Sequence, residues 1–199
     1  MLPARSTSRP VSVTAQRPES IAPRPMYLTT RAWIATAVLA GALSIACVAR
    51  MHSDPVVLAC CYFSAAGTAL AAIDAAVMRL PDFLTLPSYP ITFLALAWAS
   101  STTGGVRPLY RGVEASALLL VLFAVLNVAA GVGLGDVKLA GLVGMLLGYF
   151  GWMVLFRGLF MACVIGMVWA GLIRLRGRRA MHIPMGPALV AGALFVVLA

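Results

Sequence analysis

Two aspartates in this sequence lie where carboxylates are least expected, at the edges of long apolar stretches. Asp74 ends the run Ala-Ala-Ile-Asp, and Asp136 follows Gly-Leu-Gly. Ionisable residues within or beside membrane segments are costly to bury and are often functional. Two carboxylates that lie close together cannot both ionise easily, so one keeps a proton while the other can act as a base. Such a pair is suited to aspartyl hydrolysis, in which one acid activates water and the other polarises the scissile carbonyl.

The composition indicates that membrane helices must position these acids. The 199 residues are 62% hydrophobic and only 11% charged, whereas soluble proteins carry about 25% charged residues. A membrane-crossing helix needs about 20 apolar residues, and the uncharged stretches here are continuously apolar rather than alternating. We therefore expect an all-α, polytopic transmembrane bundle of six or seven spans, the last of which begins near Met185. The uncharged stretches are 32–49, 55–73, 83–106, 115–135, 139–156, 158–173 and 180–199.

The order of these stretches predicts that the two aspartates meet. The third and fourth stretches lie between Asp74 and Asp136. A chain that crosses the bilayer twice returns to the face it left, so both acids share a membrane face whichever way the protein inserts. Asp54 and Glu114 are expected in loops at the opposite, outer face.

The basic residues predict the orientation. Residues 1–31 are rich in Pro, Ser, Thr and Arg, which predicts a disordered basic tail before a transmembrane domain over residues 32–199. With alternating spans, eleven basic residues fall on the side of this tail and three on the other. The positive-inside rule then places the N-terminus and both aspartates at the cytoplasmic face of the plasma membrane. The net charge of +9 therefore reflects membrane topology rather than nucleic-acid binding.

The segment after the second span carries a third acid among prolines. Asp82 follows Pro81, and we expect it to cap the N-terminus of the third helix. It is also the main rival of Asp74 for the catalytic role. Pro81, Pro87 and Pro90 are expected to break or kink the helix there.

The residues around Asp136 also suggest roles. Gly133 and Gly135 lack a Cβ atom, so we expect them to allow a positive φ or a close backbone approach beside the aspartate. Lys138 is the only lysine in the chain. We expect its side chain to anchor the helix at the lipid headgroups.

Together these residues resemble a known family. GLGDVK at 133–138 resembles the G-x-G-D-x-K motif of the type IV prepilin peptidases. Residues 73–87 and, more weakly, IPMGP at 183–187 resemble two further blocks of that family, and the similarity extends from about residue 55 to the C-terminus. The resemblance implies a membrane aspartyl peptidase with Asp74 and Asp136 as catalytic residues. It implies no metal and no organic cofactor.

The resemblance also implies a substrate. Family members remove a short basic leader from prepilins and pseudopilins, on the cytoplasmic side of the leader's hydrophobic helix, in pilus or secretion systems. The expected partner is therefore a membrane-tethered precursor protein. Many bacterial members carry an additional insertion with paired C-x-x-C motifs and an N-methyltransferase activity. We expect the short, peptidase-only form, because the cysteines form no such pairs and lie in apolar stretches as Cys47, Cys60, Cys61 and Cys163.

Two other functions remain open at this stage. A small proton-coupled transporter could use the same aspartates as a proton relay, although a carrier should place an acid near the middle of the bilayer. An inactive assembly protein of a pilus or secretion system could retain both acids without catalysis.

Overall fold

The computed structural model of the chain describes residues 30–52, 54–77, 82–175 and 185–199. Residues 1–29, most of the expected basic tail, lie outside the described residues. The described part contains seven α-helices and no β-strand. The helices are α1 (Thr30–Met51), α2 (Val57–Val77), α3 (Asp82–Thr103), α4 (Arg107–Ala130), α5 (Leu134–Phe150), α6 (Trp152–Leu175) and α7 (Gly186–Leu198).

The expected all-helical, polytopic membrane bundle is confirmed. Within the described ranges, five helices are long and apolar enough to cross a membrane, namely α1, α2, α3, α4 and α6. α5 has 17 residues and α7 has 13, so at a rise of 1.5 Å per residue they span only about 25 Å and 20 Å. The hydrocarbon core is about 30 Å thick. The count of six or seven spans and the orientation of the N-terminus therefore stay predictions.

α5 lies at the centre of the bundle. Thirteen of its 17 residues are buried, and it packs against α3, α4, α6 and α7. The outer helices instead expose large apolar side chains such as Ile45, Val121 and Phe160. Such surfaces suit a lipid environment, where association of helices depends on close packing rather than on the hydrophobic effect. The helix that carries Asp136 is therefore the one most enclosed by protein.

Glycines allow the helices around α5 to approach closely. A Cβ atom on Gly144 of α5 would lie 2.7 Å from the carbonyl oxygen of Ala115 in α4, and one on Gly112 of α4 would lie 2.8 Å from that of Met145. In the same way, a Cβ on Gly192 of α7 would lie 2.6 Å from a backbone nitrogen in α6. Small residues at helix crossings are typical of membrane bundles. This packing fixes the positions of α5 and α7, whose N-termini form part of the site described below.

Two boundary predictions differ from the structure. Pro87 and Pro90 do not break the third helix, because they lie inside α3, which continues through them to Thr103; membrane helices tolerate the lost N–H groups when neighbouring groups compensate. The alternative, a kink at these prolines, stays a prediction, and Pro81 lies outside the described residues. Glu114 lies in α4 and not in an outer loop, because that helix begins at Arg107 with a proline in its first turn, a favourable start. Glu114 thus does not mark the end of a helix.

The start of α4 also shows why a charge can lie inside the bundle. Arg111 donates a hydrogen bond from Nη2 to the backbone oxygen of Tyr149, at a distance of 3.0 Å. Tyr149 lies next to the last residue of α5. This contact joins α4 to the C-terminal end of α5, opposite the end that carries Asp136.

Candidate active site

Three helix ends converge at one place in the structure. Asp74 lies in the last turn of α2, Asp136 in the first turn of α5, and Gly186 is the first residue of α7. Asp74 is 5% exposed and Asp136 is 8% exposed. The two carboxyl groups are near enough to interact electrostatically. The structure therefore places the two acids within electrostatic range of each other, and their role as a catalytic pair stays a prediction.

The carboxylate of Asp74 is held by the N-terminus of α7. The backbone N–H of Gly186 donates to Asp74 Oδ2 at 3.1 Å. The first N–H groups of a helix have no partner within the helix, and the helix dipole favours a negative group there. A Cβ atom on residue 186 would lie 2.6 Å from Asp74 Oδ2, so this contact requires glycine.

The sequence alone did not identify the role of Gly186. The residue belongs to the weakest of the three motif blocks, and Ile183 and Pro184 of that block lie outside the described residues. One local signal was available, because a glycine followed by Pro187 is suited to the start of a helix. That signal locates the helix end but does not reveal which carboxylate it meets.

The carboxylate of Asp136 has a different environment. Its Oδ1 atom is buried and has no hydrogen-bond partner among the described residues. The backbone N–H of the same residue donates to the carbonyl of Gly133 at 3.0 Å, which closes the first turn of α5. Asp136 thus presents an acceptor oxygen that the protein itself does not occupy, next to a second carboxyl group.

The loop before Asp136 differs from the prediction. Gly131 is the residue with the positive φ, 70°, at the C-terminus of α4. Gly133 has φ −62° and ψ 140°, and Gly135 lies inside α5, so neither position has the positive φ. The other expectation for these glycines, a close backbone approach beside the aspartate, stays a prediction. A Cβ on Gly133 would lie 3.6 Å from Asp136 Oδ2, an ordinary contact. Asn127 stabilises the loop, since its side-chain amide donates to the carbonyl of Val132.

Lys138 and Asp82 form an ion pair that the sequence did not predict. Lys138 Nζ lies 2.6 Å from Asp82 Oδ1. Lys138 was expected to contact lipid headgroups and instead joins α5 to α3. Asp82 is the first residue of α3, and 63% of its side chain is exposed. The buried partner near Asp136 is therefore Asp74, not its rival Asp82.

An apolar groove with a volume of about 580 Å³ lies between α1, α2 and α7. Leu39 of α1 and Phe195 of α7 line it, together with Ala71, Ala72 and Pro187. Ala71 and Ala72 lie within one turn of Asp74 on α2, and Pro187 follows Gly186. The groove therefore passes close to the end of α2 that carries Asp74, although neither Asp74 nor Asp136 lines it.

In the described part of the chain, no three His, Cys, Asp or Glu side chains come together as a metal ion would require. Asp74 and Asp136 are two carboxyl groups within electrostatic range, and such a pair can exchange a proton with a water molecule.

Comparisons with known proteins point to one family. Residues 61–171 match the model of the type IV leader peptidase family. Two relatives, each named prepilin leader peptidase/N-methyltransferase, come from Burkholderia pseudomallei strains 1026b and K96243. Each is 32% identical over 158 residues, which cover 76% of this chain and 50% of the relative. The chain thus spans about half the length of these relatives. No solved structure is detectably similar.

The contact between Gly186 and Asp74 can be tested by adding one methyl group. We expect Gly186→Ala to destabilise the protein by about 1–3 kcal/mol, the usual cost of overpacking, as measured by thermal unfolding in detergent. The matched control is Gly166→Ala on α6, where the new Cβ would lie 3.7 Å from Ala188 of α7. This control should be as stable as the wild type or slightly more stable, because alanine favours a helix.

A second substitution tests whether the methyl group added at position 186 contacts the carboxylate of Asp74. Asp74→Ala removes the carboxylate, so adding Gly186→Ala to it should cost much less than adding it to the wild type. Equal losses in the two backgrounds would contradict the contact between α7 and Asp74.

Proposed function

The chain belongs to the type IV leader peptidase family, and we propose that it is a membrane aspartyl endopeptidase that removes the leader from prepilin-like precursors. The observation that carries the proposal is that two buried carboxyl groups, Asp74 and Asp136, lie within electrostatic range of each other at the ends of α2 and α5. Both residues lie within the part of the chain that matches the family. The names of the two Burkholderia relatives support prepilins as the substrate class.

In the proposed reaction the two acids share one proton. The ionised member takes a proton from water, whose oxygen bonds to the carbonyl carbon of the scissile peptide, while the protonated member gives its proton to the carbonyl oxygen. The tetrahedral intermediate then collapses and the C–N bond breaks. The leaving amine takes the proton that the first acid had received from water, and a hydroxyl group of the intermediate returns its proton to the second acid as the new carboxyl group forms. The pair again holds one proton. The pair titrates as a unit, so neither residue receives a fixed role.

We place this reaction at the cytoplasmic face of the plasma membrane. If the spans alternate as predicted, most basic residues of the sequence fall on the same side as Asp74 and Asp136, and such residues are enriched in cytoplasmic loops. The substrate is then a membrane-tethered precursor whose leader lies in the cytoplasm. The alternative, a proton-coupled carrier, lacks a supporting observation, because both acids lie at helix ends and not in mid-span.

Replacing either acid by its amide should abolish cleavage. We expect Asp74→Asn and Asp136→Asn each to lower the rate by at least about 100-fold, the usual contribution of a general acid or base. The measurement is processing of a co-expressed prepilin-like precursor with a basic leader ending in glycine, followed by gel mobility.

The matched control is Asp54→Asn. Asp54 precedes the other end of α2 and accepts a hydrogen bond from the Val56 N–H at 3.0 Å, which asparagine can replace. This variant should cleave as the wild type does. Cleavage near the wild-type rate in either active-site variant, with the protein present in the membrane, would exclude the paired-acid reaction.

We further propose that the apolar groove holds the hydrophobic helix of the substrate. A tethered precursor must keep its apolar segment in the bilayer while its scissile bond reaches the carboxyl groups. The groove would suit such a segment because its lining is mainly apolar. It would also bring the segment close to the carboxyl groups, because Ala71 in its lining lies one turn of α2 before Asp74. The small residues Ala71, Ala72 and Ala191 that line it favour close approach of another helix.

The groove can be tested by filling it. We expect Leu39→Trp to raise the KM for the membrane precursor by about tenfold or more, because overpacking costs about 1–3 kcal/mol. The neighbouring Val38 is also lipid-exposed, at 66%, but does not line the groove. Val38→Trp should leave the KM unchanged. Equal KM values for the two variants, measured over a series of precursor levels in proteoliposomes, would place the substrate helix elsewhere.

A further inference from the structure

Apart from the two carboxyl groups, a second feature lies near the N-terminus of α5, where α3 contacts Lys138 at two points. Lys138 Nζ pairs with Asp82 Oδ1 at 2.6 Å. The backbone oxygen of the same lysine accepts a hydrogen bond from the hydroxyl of Tyr89 at 2.5 Å. Asp82 and Tyr89 are seven residues apart on α3, a spacing that places them on one face of a helix. Lys138 is thus held by its side chain and by its backbone.

The contact with Tyr89 depends on a glycine. A Cβ atom on Gly141 of α5 would overlap the Tyr89 hydroxyl. Without a side chain at that position, the phenol reaches the backbone one turn nearer to the N-terminus of α5. The contact between Tyr89 and the backbone of Lys138 takes no part in the proposed proton transfer, so another role must account for it.

The helical geometry of α5 relates these contacts to the position of Asp136. Successive residues of an α-helix are rotated by about 100°, so positions two apart point in nearly opposite directions. Asp136 and Lys138 have this spacing. We infer that Asp82, Tyr89 and Lys138 form a clamp that positions Asp136 against Asp74 by holding the opposite side of the α5 N-terminus. This role rests on the proposed peptidase function.

The ion pair of the clamp adds little to overall stability. The side chains of Lys138 and Asp82 are 35% and 63% exposed, and ion pairs with such exposure contribute little to the free energy of unfolding. The ion pair instead affects the position of Asp136. A displacement of about 1 Å of a reacting group can lower a rate by about 100-fold. Loss of the clamp should therefore leave the protein folded and lower kcat more than it changes KM.

The experiment compares single substitutions in the clamp with a double variant in which the two charges of the ion pair are exchanged. We expect Asp82→Asn, Lys138→Gln and Tyr89→Phe each to lower kcat for the prepilin-like precursor by roughly 10-fold to 100-fold, with KM little changed. Combining Asp82→Lys with Lys138→Glu should recover most of the lost kcat, because the ion pair is restored with its charges exchanged. Tyr110→Phe, at an exposed tyrosine, is the control and should behave as the wild type.

A second measurement does not depend on activity. Hydrogen–deuterium exchange in detergent should be faster at the first turns of α5 in the three single variants and unchanged in α6. If the wild type cleaves no precursor but exchange changes in this way, the clamp stands and the proposed function fails. If the single variants change neither kcat nor exchange, the clamp is wrong. Loss of all cleavage in Asp82→Asn without recovery in the reversed pair would also overturn it, because Asp82 would then act as a catalytic acid.

Discussion

Two buried carboxyl groups within electrostatic range of each other are the constraint on which the rest of this structure depends. Each is costly to remove from water, and their like charges oppose each other when both ionise. The fold meets this cost at helix ends, where backbone groups are free to help. Asp74 receives the N–H of Gly186 from α7, and Asp136 lies in the first turn of α5 with one oxygen unpartnered in the described structure.

Packing between helices relates this local requirement to the whole bundle. The N-terminus of α7 contacts the last turn of α2 through Gly186 and Asp74, and α7 also packs against α5, so these helices cannot shift independently. Glycines at the crossings of α5 with α4 and of α7 with α6 allow close approach of the backbones, and α3 holds the start of α5 through Asp82 and Tyr89. The apolar groove lies between α1, α2 and α7. In the proposed function, substrate access and acid positioning therefore both involve the C-terminal end of α2.

Much of this arrangement was predictable from the sequence, for a physical reason. Long uncharged stretches must become helices in a bilayer, and the number of crossings between Asp74 and Asp136 decides that they share a face. Helix boundaries were less predictable. Pro87 and Pro90 lie within α3 because membrane helices tolerate proline, and Glu114 lies within α4 because that helix begins earlier, at Arg107, with a proline in its first turn.

The contacts between distant segments were not predictable. Gly186 meets Asp74 across 112 positions of sequence, and Lys138 meets Asp82 across 56. Such pairings depend on which helix ends become neighbours, and no local pattern encodes that. The lysine illustrates the difficulty, because a lone cation near a helix end is equally suited to a lipid headgroup or to a carboxylate on another helix.

Cysteine cross-linking tests most directly whether Asp74 and Asp136 face each other in the membrane. The four native cysteines would be replaced by serine, a protease site inserted at the exposed Gly104–Gly105 turn, and cysteines introduced by Asp74→Cys and Asp136→Cys. After treatment with a short bifunctional thiol reagent in native membranes and cutting at the turn, the two fragments should remain joined. The pair Asp54→Cys and Asp136→Cys should separate. Separation of the fragments in both cases would contradict the paired carboxyl groups at the centre of this account.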